Sequence, residues 1–321
     1  MYGYDIFHED LMKSLITAVR EGVSSHAYIF EGDRGLDVAA AARLFAAALT
    51  CANPEIAPCG SCTSCIEAKA DANPDIVYVK PEKDRKTIGV NNIRALEADV
   101  VITPFAAKRK VYVFSDASVI TEAAQNALLK TLEEPPEYAV FIMVTENYEK
   151  LLETIRSRAV LVHFPAVSEN EVRKYISQKY PEAADRIDFL AKYCDGIPKR
   201  ADDIISDADF EPLRKSALEK LTLLLSRRGM DAFTLQDFVA ENKDDFARVL
   251  EFWMSFLRDM LLIQTGADSG IINADKHMEL RSLCASYDPQ RVVSVLDALV
   301  TAQKMTARYV NPKAITYWLT L

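Results

Sequence analysis

From Val111 to Phe164 short apolar runs alternate with amphipathic stretches, and this leaves few folds open to the chain. Val111-Tyr-Val-Phe114 is the pattern of a strand buried on both faces of a parallel sheet. Ser115-Asp116 closes it. Thr121 is placed to cap a helix, Glu122 suits the positive end of its dipole, and Ala124, Ala127, Leu128, Thr131 and Leu132 share one face. Pro135 and Pro136 stop that helix, because proline lacks the amide hydrogen and pushes Glu134 out of the helical region. Val140-Phe-Ile-Met-Val144 predicts a second buried strand. One further helix is then expected, capped by Asn147, carrying Tyr148, Leu151, Leu152 and Ile155 on one face and ending at Arg156-Ser157-Arg158. Val160-Leu-Val-His-Phe164 is the third strand. Strand, helix, strand, helix, strand is a parallel α/β core.

The 321 residues are enough for two or three domains. Half of them are apolar, yet no uninterrupted apolar stretch is long enough to span a bilayer. The opening Met1-Tyr-Gly-Tyr-Asp-Ile-Phe-His-Glu-Asp10 lacks the basic and apolar regions of a signal peptide, so a cytoplasmic protein is expected. A formal charge of −9 argues against a stand-alone nucleic-acid binder. Lys108-Arg-Lys110 reads as solvated loop charge.

The cysteines carry the next signal. Cys51-x7-Cys59-x2-Cys62-x2-Cys65 places four of the six within fifteen residues, and Pro58 and Gly60 permit tight turns. Thiolate sulfurs are soft donors that suit Zn²⁺ at a closed structural site. Two disulfides are the competing reading, disfavoured in a reducing cytoplasm, and a redox pair would need a single C-x-x-C beside a βαβ unit. Cys194 and Cys284 stand alone and default to small apolar roles.

Elsewhere, Ala27-Tyr-Ile-Phe30 and Asp75-Ile-Val-Tyr-Val79 read as core strands. Ala41, Leu44, Phe45, Ala48 and Leu49 mark one face of a helix that ends at Thr50-Cys51, and Ile88 to Arg94 leads into another. Beyond Phe164-Pro165 charged helices take over. Ser168 and Glu171 form a capping box, and Ile187 to Tyr193 makes a helix before Cys194-Asp-Gly-Ile-Pro-Lys-Arg200. From Asp209 to Leu321 the pattern is helical throughout. Its stripes are Leu213, Ala217, Leu221, Leu224 and Leu225; then Phe246, Leu250, Trp253, Phe256 and Leu257; then Val292 to Met305. Asn311-Pro312 opens the last helix.

Asn126-Ala-Leu-Leu-Lys-Thr-Leu-Glu-Glu-Pro-Pro136, followed by Thr154-Ile-Arg-Ser-Arg158, resembles the clamp-loader branch of the AAA+ ATPases. More narrowly, it is similar to the bacterial DnaX and delta-prime subunits of the DNA polymerase III holoenzyme. The resemblance implies an α/β AAA+ core over residues 1–167, a parallel sheet with flanking helices and a zinc module. It further implies a small helical lid domain at 168–208 and an all-α collar domain at 209–321. His26-Ala27 would precede the phosphate loop, which in a working ATPase reads G-x-x-x-x-G-K-[ST]; the lysine reaches the β/γ oxygens and the hydroxyl holds Mg²⁺. Here the loop is Glu31-Gly-Asp-Arg-Gly-Leu-Asp-Val38: Gly32 and Gly35 are present, but it is three residues short and lacks Gly-Lys-Thr. Asp33 and Asp37 would meet phosphate with like charge. The family's Asp-Glu after the Val111–Phe114 strand is replaced by Ser115-Asp116.

These two losses point to the delta-prime branch, with no ATP of its own, rather than to a DnaX-type (tau/gamma) ATPase motor. A stand-alone zinc-containing DNA-binding protein is the other alternative, disfavoured by the acidic charge. By the same resemblance Cys51, Cys59, Cys62 and Cys65 hold a structural Zn²⁺. Val90, Ile93 and Arg94 match the entry to the family's next helix. Gly196, Pro198 and Arg200 match its sensor-2 signature, with Arg200 a relic or a salt-bridge partner. Arg158, after Ser157, stands at the family's arginine finger and would act in trans on ATP held by a DnaX neighbour; Ala159 replaces the usual cysteine. The implied partners are DnaX and delta subunits, and through the complex a sliding clamp and primed DNA, with no membrane.

Overall fold

The computed structural model describes residues 7–82, 85–226 and 231–320, so the start of the N-terminal stretch, residues 1–6, and Leu321 lie outside it. The chain divides into two compact units, one running through Tyr175 and taking in Asp195–Arg200, the other made of Ile176–Cys194 and everything from Ala201 onward.

The first unit contains α1 (Glu9–Arg20), β1 (Ala27–Gly32), α2 (Val38–Leu49), α3 (Thr63–Lys69), β2 (Ile76–Val79) and α4 (Val90–Val100). It continues with β3 (Lys110–Phe114), α5 (Glu122–Glu133), β4 (Ala139–Thr145), α6 (Glu153–Arg156) and β5 (Val160–Phe164). The five strands form one parallel sheet in the order β2-β3-β4-β1-β5. Alternation along each strand splits its side chains between two faces. Ala27 and Ile29 join Tyr112, Phe114, Phe141 and Met143 in a core covered by Ile93 and Leu96 of α4, Leu128 and Leu132 of α5 and Ile155 of α6. On the other face Tyr28 and Phe30 pack on Phe45 of α2, with ring centroids 4.9 and 5.6 Å away. The strands β3 and β4, flanked on both sides, are buried along their whole length, whereas β5 at the edge leaves Val160 and Leu161 exposed. Thr121 caps α5 by accepting from Ala124 N at 3.3 Å.

Two expectations are corrected here. The single helix expected from Asn147 to Arg158 is a 3-10 turn, Tyr148–Lys150, capped by Asn147 and separated from α6 by extended Leu151 and Leu152. The cause is Gln125 on α5, whose side chain donates to Lys150 O at 3.3 Å and accepts from Leu152 N at 2.7 Å, taking groups a continuous helix would use. Lys110 is not solvated loop charge. It is buried at the start of β3, and its ammonium lies 2.9 Å from Asp99, which also accepts from Tyr112 Oη at 2.8 Å.

After β5 comes α7 (Glu169–Lys179), opened by the reciprocal Ser168–Glu171 box. Helices α8 (Ile187–Tyr193) and α9 (Arg200–Ser206) follow, then α10 (Phe210–Ser226), α11 (Asp231–Glu241), α12 (Phe246–Thr265), α13 (His277–Ser286), α14 (Pro289–Ala307) and α15 (Pro312–Leu319). Within the second unit Trp253 is fully buried and donates to Ala217 O at 2.8 Å. Buried Arg214 meets Asp275 at 2.7 Å and stacks on Phe189 at 3.8 Å. Burial alone would raise the Asp275 carboxyl, but Arg214 outweighs it and holds it below its usual range. Among the described residues no helix is long and apolar enough to cross a membrane.

Candidate functional site

The two stretches with most chemistry flank α2. At its N-terminal end the loop from Gly32 to Val38 folds onto itself. Asp33 accepts from Gly35 N at 3.0 Å and starts the 3-10 turn Arg34–Leu36. Asp37 enters α2 in the left-handed region, φ 54°. A Cβ at Gly35 would lie 2.2 Å from Ile197 Cγ2, and one at Gly32 would lie 2.9 Å from Phe164 O. Both glycines therefore permit close packing by the protein itself. The loop's carboxylates are met by cations of the same unit: Lys199 Nζ is 2.6 Å from Asp37 Oδ2, and Arg200 Nη2 is 4.0 Å from Asp33 Oδ2. After β3, Ser115 is exposed and Asp116 is engaged locally, accepting from Ser118 N at 3.0 Å and Ser118 Oγ at 2.6 Å.

At the C-terminal end of α2 the chain turns into the cysteine module. The sulfurs of Cys51, Cys59, Cys62 and Cys65 all lie within 4.8 Å of one another, with Cys51–Cys62 and Cys59–Cys65 each at 4.0 Å. Four sulfurs about 2.3 Å from a tetrahedral ion stand about 3.8 Å apart, so the arrangement and the soft donor set fit a structural zinc. Backbone amides point at the sulfurs: Asn53 N and Cys59 N at Cys51 (3.4 Å each), Cys62 N at Cys59 (3.3 Å) and Cys65 N at Cys62 (3.4 Å). The Asn53 side-chain amide first, then the amides of Ser61 and Cys62, push the Cys59 thiol down to about 5. Burial pushes Cys51 and Cys65 up. Asn73 braces the module from outside, donating to Ser64 O at 2.9 Å and Ser64 Oγ at 2.7 Å, while Ser64 Oγ donates to Thr50 O at 2.7 Å.

The third place is the corner after α6. Arg158 Nη2 reaches Glu133 Oε1 at 2.7 Å, and Nη1 donates to Thr154 O at 2.8 Å and Ser157 Oγ at 3.3 Å. Its side chain remains about one-third open, at 34%. Glu133 belongs to the Leu-Glu-Glu-Pro-Pro run, so the two halves of the sequence signature meet in space; sequence reasoning missed that pairing. Arg156, two residues earlier, instead lies over the Tyr148 ring, 5.2 Å from its centroid.

A parallel sheet in this strand order, a glycine-bearing loop between β1 and α2, and a helical region beyond are the marks of the AAA+ class. The family model described as DNA polymerase III, delta subunit, matches residues 7–168, and the corresponding C-terminal model of the delta subunit matches residues 209–320; the chain belongs to this family. A DNA polymerase III subunit delta' from Bacillus subtilis is 28% identical over 316 residues, covering 97% of this chain and 94% of its own. The tau subunit of the same organism is also 28% identical, over 91% of this chain, which spans only 55% of that relative. A gamma/tau subunit from Mycobacterium tuberculosis is 37% identical over 158 residues, 49% of this chain and 27% of its own.

Proposed function

We propose that this chain is a delta-prime-type, non-hydrolysing subunit of a DNA polymerase III clamp loader. In this reading residues 168–208 act as the lid and 209–321 as the collar piece that joins DnaX (tau/gamma) and delta subunits. The assembly places a sliding clamp on primed DNA. Cys51, Cys59, Cys62 and Cys65 hold one Zn²⁺, which when bound ties the module together as a structural cross-link.

The observation that carries the reading is the loop between Gly32 and Val38. Triphosphate binding needs free glycine amides, a lysine and a metal-holding hydroxyl. Here Ile197 packs on Gly35, Lys199 takes up Asp37, and no lysine stands in the loop. The chain's contribution to ATP turnover is then external. Arg158, oriented by Glu133 and Ser157, is a fixed-charge guanidinium that can brace a γ-phosphate held by a DnaX neighbour.

Calorimetry with ATP and Mg²⁺ on the isolated chain should register no binding. In the reconstituted loader, Arg158→Ala should leave assembly intact and slow clamp- and DNA-stimulated hydrolysis by an order of magnitude or more. Arg156→Ala should do much less. Unchanged turnover by the Arg158 variant would remove the in-trans role. The similarity to tau favours one second reading, a DnaX-type motor, which micromolar ATP binding by the isolated chain would support.

A further inference from the structure

The side-chain hydrogen bonds in the cysteine module are unevenly distributed. Backbone amides reach all four sulfurs, that of Gly60 serving Cys65, and follow from the tight turns that the cysteine spacing makes. Side-chain donors converge on Cys59: Asn53 Nδ2 stands 3.5 Å from its sulfur and Ser61 Oγ 3.6 Å. With Cys62 N at 3.3 Å and the Ser61 amide beside it, this sulfur faces two side-chain and two backbone donors. Nothing in the cysteine spacing requires an amide at position 53 or a hydroxyl at 61. Cys59 is also partly open to solvent, whereas Cys65 is buried.

We infer that Asn53 and Ser61 are positioning residues for the metal centre. Resting on the zinc reading of this site, they set how tightly the ion is held and how readily the Cys59 sulfur reacts while bound. Four thiolates around one divalent cation leave a net charge of −2 to disperse. Donors aimed at a sulfur take up part of that charge, as hydrogen bonds to ionised acceptors are stronger than those to neutral ones. Groups that orient and polarise ligands in this way typically govern metal affinity by 10- to 100-fold. The thiolate is also the form that attacks electrophiles, so the same donors restrain a ligand that is partly open to solvent.

The module carries its own comparison. Asn73 and Ser64 brace the same backbone, but their side-chain bonds run to oxygen and to an amide nitrogen: Ser64 O, Ser64 Oγ, Thr50 O and Asp75 N. A purely structural role for Asn53 and Ser61 would make them behave like Ser64.

The test uses the full chain with Zn²⁺ or Co²⁺, in the unmodified form and as Asn53→Ala, Ser61→Ala, their double variant, Asn53→Asp and Ser64→Ala. Asn53→Asp keeps the side chain's shape while turning a donor toward sulfur into an acceptor, so it reports even where the alanine variants fail to fold. Metal affinity measured by chelator competition should fall by about 10-fold or more in the double variant and in Asn53→Asp. The thiolate-to-cobalt charge-transfer band should shift in both. Alkylation of the zinc-loaded chain, mapped by mass spectrometry, should accelerate at Cys59 relative to Cys51. Ser64→Ala should move neither the band nor the Cys59 selectivity. A band and a Cys59 rate unchanged in the double variant and Asn53→Asp would overturn the inference, whatever happens to affinity. An unmodified chain that takes up neither metal would overturn the zinc reading itself, and the inference with it.

Discussion

Helix α2 has two ends that share one helix and differ in every other respect. Its N-terminal end is where free backbone amides and the helix dipole would attract an anion. Asp33 and Asp37 stand there already, matched by Arg200 and Lys199, and Ile197 fills the space against Gly35. Its C-terminal end leads into four like donors aimed at one point, their sulfurs within 4.8 Å. Glycines and charges at the first end look like a ligand site on paper but are satisfied from within the chain. The cysteines at the second end bring four soft donors of one kind to a single place, a pattern that a cation resolves and a protein group does not. The difference teaches that a site is diagnosed by which of its groups are already answered inside the fold.

The largest effect is expected from Cys62→Ser, which removes one of four thiolates and the residue capping α3. Metal content should fall from about one zinc per chain to well below that, with a loss on the order of 3 kcal/mol or more in thermal unfolding. Chelation of the unmodified chain should mimic it. If neither treatment changes unfolding, the two ends of α2 are equally self-sufficient and the contrast between them breaks. Acid sharpens the same point. Ligating cysteines must be deprotonated, so zinc should be retained at neutral pH and released to an indicator dye as pH falls.

Next in size is Gly35→Ala. The added carbon would meet Ile197 Cγ2 at 2.2 Å, and overpacking of this kind costs about 1–3 kcal/mol in chemical denaturation. Ile197→Ala in the same chain removes that methyl and should recover part of the loss. A cost-free Gly35→Ala would mean the loop has room to spare. The smallest effect is expected from Lys199→Ala. Its pair with Asp37 is about one-third exposed at the lysine, 35%, so roughly 0.5 kcal/mol is expected, shrinking as salt is raised.

Much of this was legible in the amino-acid order. Apolar runs located the strands, Thr121 and the Ser168–Glu171 box marked helix starts, and four cysteines within fifteen residues named their own donor set, because each signal acts over a few neighbouring residues. Tertiary structure alone decided the rest. Gln125 breaks a helix at Leu151 and Leu152 some 25 residues further on, and Lys110 is buried because β3 is flanked on both sides and Asp99 is there to receive it. Glu133 finds Arg158, Ile197 closes on Gly35, and Asn53 turns its amide toward Cys59. These contacts depend on where the sheet order and the turns carry the backbone, and local periodicity holds no record of which distant side chain will arrive to satisfy a buried polar group or fill the space beside a glycine.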